Sequence, residues 1–528
     1  MKSSRALGRE VTFELTNPIS DSNEAVMRRM ISLVAAIAGC LPVSFQDAAA
    51  AAPLLIENVT LISPGQSHPL GNRHVLVQDG RIAAISDRPI QAPSDARRLD
   101  GSGKYLTPGL TDAHVHVSDA IGLPFGSEDP AIAELQNDFF TQQPRSYLYF
   151  GVTQVLDTAN WPERVAQFAA QPWHPDIFRC GAAPVVDGYP LVFVDKAIRH
   201  KVFSDYIFEP ANAARHPLPE GANAAEHTPE AVVARIAASG AICVKISLED
   251  GFGDQTDWPI MSMETLRRVR AATKKHGMFL AIHANALDMQ RKAVDGGVDL
   301  ILHGIWNWNE LNSAEGIPPA VDAHLRNVRR SGIGYQATLR VLYGVSDLLN
   351  PALLEDPVYA KVVPPRLLAW YRTEPAQWFK RDVYGPEVDG AAVLAAERAA
   401  NERWATSDKG MRALRHLYEL GQPPLLGSDT PSAPTYGNQP GYDTFKEMQL
   451  MARVGIPLSA IFEAGTINNA RQLGLEKDFG TIEKGKVANL LLLEANPLAD
   501  VDAWSRIHTV ILRGEPIARE SLAADAMK

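Results

Sequence analysis

Met278 to Gly304 read MFLAIHANALDMQRKAVDGGVDLILHG. Two short apolar runs in it, MFLAIHA and LILHG, have strand character, and each runs into a histidine, His283 and His303. Outward from this block lie TLRRVRAATKKHG (Thr265–Gly277) and AHLRNVRRSG (Ala323–Gly332), helix-like segments with basic last turns and a glycine stop. Similar apolar runs recur along the chain: GVTQVLDTA from Gly151, AICVKIS from Ala241, GIGYQAT from Gly332 and PPLLGSDT from Pro423. Strand, helix, strand repeated over roughly 350 residues predicts a parallel α/β fold, a (β/α)8 barrel of TIM type.

The flanks read differently. LLIENVTLIS (Leu54–Ser63), HVLVQDGRIAAIS (His74–Ser86) and RRLDGSGKYLTPG (Arg97–Gly109) alternate apolar and polar residues between turn signals. The same texture returns only in GTIEKGKVANLLLLEANP (Gly480–Pro497) and HTVILRGEPI (His508–Ile517). A small β-sandwich domain built from both chain ends is therefore expected, from 53–108 and 476–522, around a barrel at 109–475. Within the barrel, 341–409 breaks the rhythm with Pro, Trp and charge and reads as an insertion on one loop. It should emerge at the mouth of the barrel and act as a lid. Tyr343, Tyr359, Trp370, Tyr371, Trp378 and Trp404 would anchor it, and Arg340, Arg366, Arg372 and Arg381 are candidates to meet a substrate carboxylate.

Composition narrows the function. The 528 residues are 46% hydrophobic and 21% charged, values of a packed globular protein. With 51 basic against 61 acidic residues and no basic cluster, a nucleic-acid partner is excluded. Residues 1–52 read as a leader. Met27-Arg28-Arg29-Met30 forms a basic n-region, Ile31 to Val43 an apolar h-region and Ala48 to Ala52 a cleavage tract, which predicts export to the periplasm or the medium. Met27 is an alternative start. Ile37-Ala38-Gly39-Cys40 also resembles a lipoprotein box, and the alternative to simple cleavage is a lipid anchor on Cys40. There are three cysteines. Cys180 and Cys243 lie on successive predicted strands in apolar contexts, and buried free thiols are expected there.

The chemistry gathers at strand ends. His114 and His116 sit in TPGLTDAHVHV, two apart on a strand, so both imidazoles face one side. His283, His303, Asp429 and Lys245 each come at or near the end of another apolar run, where barrel active sites are built. Four imidazoles and a carboxylate suit zinc or a similar divalent ion. Lysine can join them only if carbon dioxide converts its amine to a carbamate that bridges two ions; the plainer reading of Lys245 is an ion pair. Asn285, Tyr189 and Tyr335 lie near strand ends and are candidates to orient substrate, with packing as their other role.

These blocks resemble the metal-dependent amidohydrolase superfamily, in its imidazolonepropionase-like and prolidase-like branch, from about Leu54 to Pro516. TPGLTDAHVHV is similar to its first-strand motif and GVTQVLDTAN to its second. AICVKIS is similar to the strand with the bridging lysine, LLGSDT to the final aspartate, and FGTIEKGKVANLLLLEANPL to the return into the sheet domain. The resemblance implies that His114 and His116 hold one ion with Asp429, that His283 and His303 hold a second, and that Lys245 bridges them. It implies a hydrolase of C–N amide bonds, of dipeptide or N-acyl amino acid type. A hydroxide between two zinc, manganese or cobalt ions would attack, and Asp429 would move the proton. A homo-oligomer is expected. Two departures touch the substrate side: LEDGFGD after the lysine strand, and the long insertion after Gly334-Tyr335. The alternatives are a mononuclear deaminase or cyclic amidohydrolase, disfavoured because no glutamate follows His283 in an HxxE pattern, and a metal-free scaffold, which would require lost ligands.

Overall fold

The computed structural model describes residues 52–526 apart from 125, 126, 128, 253–256, 386, 387, 389, 394, 396–405 and 433. The leader, with Met27 and Cys40, and Trp404 lie outside the described residues. Five strands come first: β1 (Leu54–Leu61), β2 (Leu70–Gln78), β3 (Arg81–Ser86), β4 (Arg97–Asp100) and β5 (Tyr105–Pro108). Gly109 then turns the chain directly into the barrel, at a point so tight that a Cβ would run into Thr153.

Seven parallel strands follow in chain order: β6 (Leu110–Val115), β7 (Val152–Asp157), β8 (Asp176–Ala182), β9 (Cys243–Ser247), β10 (Phe279–His283), β11 (Leu300–Ile301) and β12 (Gly334–Tyr335). Every residue of β6 and β7 is buried, as expected of strands covered on both faces. The helices between them start and stop as their residues dictate. Met263–Lys275 is capped by the Ser262 hydroxyl, which accepts the Thr265 N–H, and it buries Leu266, Val269 and Ala272. Pro319–Ser331 opens on proline and ends at Gly332, whose φ of 69° is the left-handed conformation a side chain would resist.

The eighth strand expected at PPLLGSDT does not form. Residues 424–430 instead touch both edges of the arc through single bridges, Gln336 to Leu425 and Val115 to Thr430, so the ladder is not a closed ring. The physical reason is local. At Gly427 a Cβ would lie 2.9 Å from the Cβ of His114, and Asp429 has φ of 56°, which interrupts the pleat.

After the barrel come β13 (Leu490–Leu493), β14 (Ile507–Leu512) and β15 (Glu515–Ala518). They join the first five strands in the order β15-β14-β13-β5-β1-β2-β3, with β4 also on β1. Both chain ends thus share one sheet, with Leu54, Ile56, Val75, Leu106, Leu490 and Ile511 among its buried residues. The strands form one hydrogen-bonded eight-stranded mixed sheet that forks at β1, which pairs with β2 along one edge and with β4 and then β5 along the other.

Cys180 and Cys243 are register partners on β8 and β9 and form a disulfide, which corrects the expectation of free thiols. They are 63 residues apart in sequence, and only the strand register brings them together. On the chain-entropy model a loop of that length contributes about 4 kcal/mol.

The described part of the insertion packs on the helix Pro130–Tyr149 and on the loop after β6. Arg366 pairs with Asp138 and Glu134 of that helix, the Tyr371 hydroxyl donates to the Ile121 carbonyl, and the Trp378 indole donates to that of Gly122. All four arginines are engaged by protein carboxylates: Arg340 by Asp347 and Asp443, Arg366 as above, Arg372 by Glu355 and Arg381 by Glu374.

Candidate metal centre

The strand ends bring the expected donors to one place. Nε2 of His114 and Nε2 of His116 lie 3.1 and 3.0 Å from the same oxygen, Oδ1 of Asp429. Two residues apart on a strand end, they share a face, as strand alternation requires. Nδ1 of His303 is 3.8 Å from Oδ2 of Asp429. Nζ of Lys245 is 3.2 Å from Nε2 of His114 and donates to the Thr158 hydroxyl, also at 3.2 Å. His283 joins through His303, with ring centroids 4.4 Å apart. Its Nε2 lies 3.2 Å from both Oε2 of Glu249 and Nδ2 of Asn285.

Buried hydrogen bonds hold this arrangement. Asp112 accepts the backbone N–H groups of His114 and Ser428 on one oxygen and the Thr444 hydroxyl on the other, tying β6 to the closing segment. Asp429 donates its backbone N–H to the His114 carbonyl. Thr338 takes φ of 44°, costly for a β-branched residue, and its hydroxyl meets Nδ1 of His303 at 2.9 Å. Such outer contacts orient imidazoles at metal sites.

Burial governs the charges. It pushes the imidazole of His114 down to about 4 and that of His283 to about 3, and His303 also falls well below its ordinary value. These rings are neutral, as ligands must be. Burial also lowers Lys245, against the pull of Asp429, and so favours the free amine. Asp429 stays ionised: burial opposes its charge, and the imidazoles around it, led by His114, outweigh that penalty. Burial pushes Glu249 up to about 8.

The donor set fits a divalent ion. One ligand atom each from His114, His303 and Asp429 lie within 4.8 Å of one another. Zinc with bonds of about 2.0–2.1 Å sets its tetrahedral ligands about 3.3–3.4 Å apart, close to the spacing of the imidazoles from Asp429. Nδ1 of His114 is buried without a partner, so the ring is held through its other nitrogen.

Of the substrate-orienting candidates, Asn285 and Tyr189 both contact His283, Tyr189 by stacking at a centroid distance of 4.3 Å. Tyr335 faces inward, its hydroxyl accepting the Ile305 N–H. Glu249, Thr158 and Thr338 were not singled out in the sequence. Glu249 stands two residues past the end of β9, and the same strand-end rule that marks Lys245 would have found it. Thr338, by contrast, follows a two-residue strand and carries no such signal.

The buried neutral imidazoles have a consequence for stability. A histidine in the unfolded chain titrates near 6.5, so between that value and about 3 the unfolded state binds more protons than the folded one at His283. Stability from this group is present above pH 6.5 and is lost as pH falls. Metal-free parent protein should therefore lose more stability between pH 7 and 5 than His283→Asn does. Unfolding midpoints across that range check this, and parallel curves would contradict it.

Residues 376–517 match the sequence model of the Amidohydrolase family. A deacetylase of Brucella anthropi is 43% identical over 68 residues, 13% of this chain and 17% of that protein, so the chain spans about a sixth of that relative. An imidazolonepropionase of Agrobacterium fabrum is 24% identical over 265 residues, 48% of this chain and 59% of that protein. The solved structure of a Xaa-Pro dipeptidase with methionine in its active site superposes with a TM-score of 0.61 at 19% identity, covering 88% of this chain and all of that one (100%), and so shares the fold. The block at 376–517 thus carries the sequence pattern of the amidohydrolase family, and the chain shares its fold with the Xaa-Pro dipeptidase.

Proposed function

We propose that this chain is a metal-dependent hydrolase of C–N amide bonds, with His114, His116, His283, His303, Asp429 and Lys245 as ligands of two divalent ions. One observation carries the reading: two imidazoles and a buried carboxylate converge at 3.0–3.1 Å at the mouth of the barrel, with the Lys245 amine 3.2 Å away. The deacetylase and imidazolonepropionase among the relatives support C–N hydrolysis.

When bound, zinc, manganese or cobalt would supply a water of lowered pKa and polarise the scissile carbonyl. The remaining work falls to the chain. Asp429, ionised and buried, accepts a proton at its carboxylate and hands it to the leaving nitrogen. The Lys245 amine, whose pKa burial lowers, adds in its neutral form to carbon dioxide, losing a proton as the N–C bond of a carbamate forms. His283 and His303 hold their lone pairs ready at neutral pH. Export belongs to the same proposal and is supported by the disulfide, which forms in oxidising compartments. The insertion is proposed as a lid.

A second reading has its own support. Glu249 brings a buried carboxyl to His283 from the loop after β9, a place where the HxxE pattern would have put one from β10. That favours a one-ion deaminase or cyclic amidohydrolase. Metal analysis separates the two: about two ions per chain for the first reading, one for the second. In the first case Lys245→Ala should lose much of its metal and activity, with partial rescue by short carboxylates. An alanine variant that keeps both ions and full turnover would leave Lys245 as an ion-pair residue.

A further inference from the structure

We infer that the substrate carries an uncharged aromatic or similarly flat apolar group beside its scissile amide, seated against a wall of four rings next to His283. This rests on the hydrolase reading above. The wall comes from two mouth loops: Tyr189 and Phe193 follow β8, and Phe252 and Trp258 follow β9. Tyr189 lies face to face with His283 at 4.3 Å and nearly parallel to Trp258 at 6.1 Å. Phe193 and Phe252 stand edge-on to both, at 5.2–5.8 Å. Edge-to-face clusters of this kind present a rigid apolar surface.

Exposure singles the cluster out. Among the described residues, Phe193 at 45% and Ile85 at 36% are the large hydrophobic side chains left exposed. Phe193 therefore keeps its ring in water one ring beyond Tyr189, which itself stacks on His283, and an apolar ligand would cover it there. A second observation concerns the amide itself. Asn285 is only 6% exposed, yet its Oδ1 has no hydrogen-bond partner, while its Nδ2 lies against His283. A buried acceptor in that place suits the N–H of a secondary amide.

Charge points the same way. A free amino-acid carboxylate would need a cation, and among the described arginines Arg199 on the first mouth loop is held by Asp187, while Arg340, Arg366, Arg372 and Arg381 are held as described above. On this inference the substrate is a neutral aryl amide, where the sequence alone led to the dipeptide and N-acyl amino acid class.

The test uses metal-loaded full-length protein and amides of one common amine: N-benzoyl, N-acetyl and a carboxylate-bearing dipeptide analogue. The benzoyl amide should exceed both others in kcat/KM by about tenfold or more. Phe193→Ala should lower that benzoyl-to-acetyl ratio by about tenfold, chiefly through KM, and Phe193→Leu should restore part of it. Preference for the carboxylate-bearing compound, or an unchanged ratio in Phe193→Ala, would overturn the inference. Benzamide binding, measured by calorimetry, needs no turnover. If no amide is hydrolysed but Phe193→Ala still weakens benzamide, the wall stands and the hydrolase reading falls; equal binding sinks the wall.

Discussion

Replacing Asp429 with asparagine should lower kcat by about 10²–10⁴ while leaving the fold intact. Asparagine has the same shape and tolerates the left-handed backbone found here, and the N–H bond to the His114 carbonyl does not involve the side chain. What disappears is the negative charge on the oxygen that both His114 and His116 approach, and with it the proton acceptor. Steady-state kinetics at fixed metal, with circular dichroism as the check on folding, reads the effect. A loss of less than about tenfold would assign proton transfer to another group, and Glu249 would be the next to replace.

Removing divalent metal should abolish turnover altogether, and zinc, manganese or cobalt should restore it. The reason lies in what remains: imidazoles, the carboxyl groups of Asp429 and Glu249 and an amine, without the water of lowered pKa that a divalent ion would supply. Cys180 and Cys243 are tied up in the disulfide. Stability should fall together with activity, because a ligand held at about 100 times its dissociation constant adds about 2.7 kcal/mol to the folded state. Chelator titration followed by both activity and thermal midpoint measures the two losses on one sample. Full activity in protein shown to be metal-free would refute the proposed chemistry.

Much of this was legible in the amino-acid order. A strand turns successive side chains to opposite faces, so His114 and His116 could be placed side by side from their spacing alone. Parallel barrels carry their sites at the carboxyl ends of strands, so His283, His303, Lys245 and Asp429 could be grouped with the first pair although they lie far apart in the chain. Both rules are local or topological and need no distances. The shared sheet of the two chain ends followed in the same way from matching alternation.

Other features depend on register and on the path of loops, which no local pattern encodes. The disulfide required Cys180 and Cys243 to fall opposite one another on β8 and β9, and a slip of one residue would have turned one of them away. Glu249 reaches His283 only because β9 and β10 pair with Ser247 beside His283, carrying the following loop across the neighbouring strand end. The arginines of the insertion could have met a substrate; which carboxylates they meet instead was settled by how the insertion lies against the helix Pro130–Tyr149 and the segments around it. The closing segment reads as a strand by its apolar residues, yet the close approach of Gly427 to His114 and the left-handed turn at Asp429 override that propensity. Side-chain direction is a property of the local backbone, whereas contact between distant groups is a property of the packed chain.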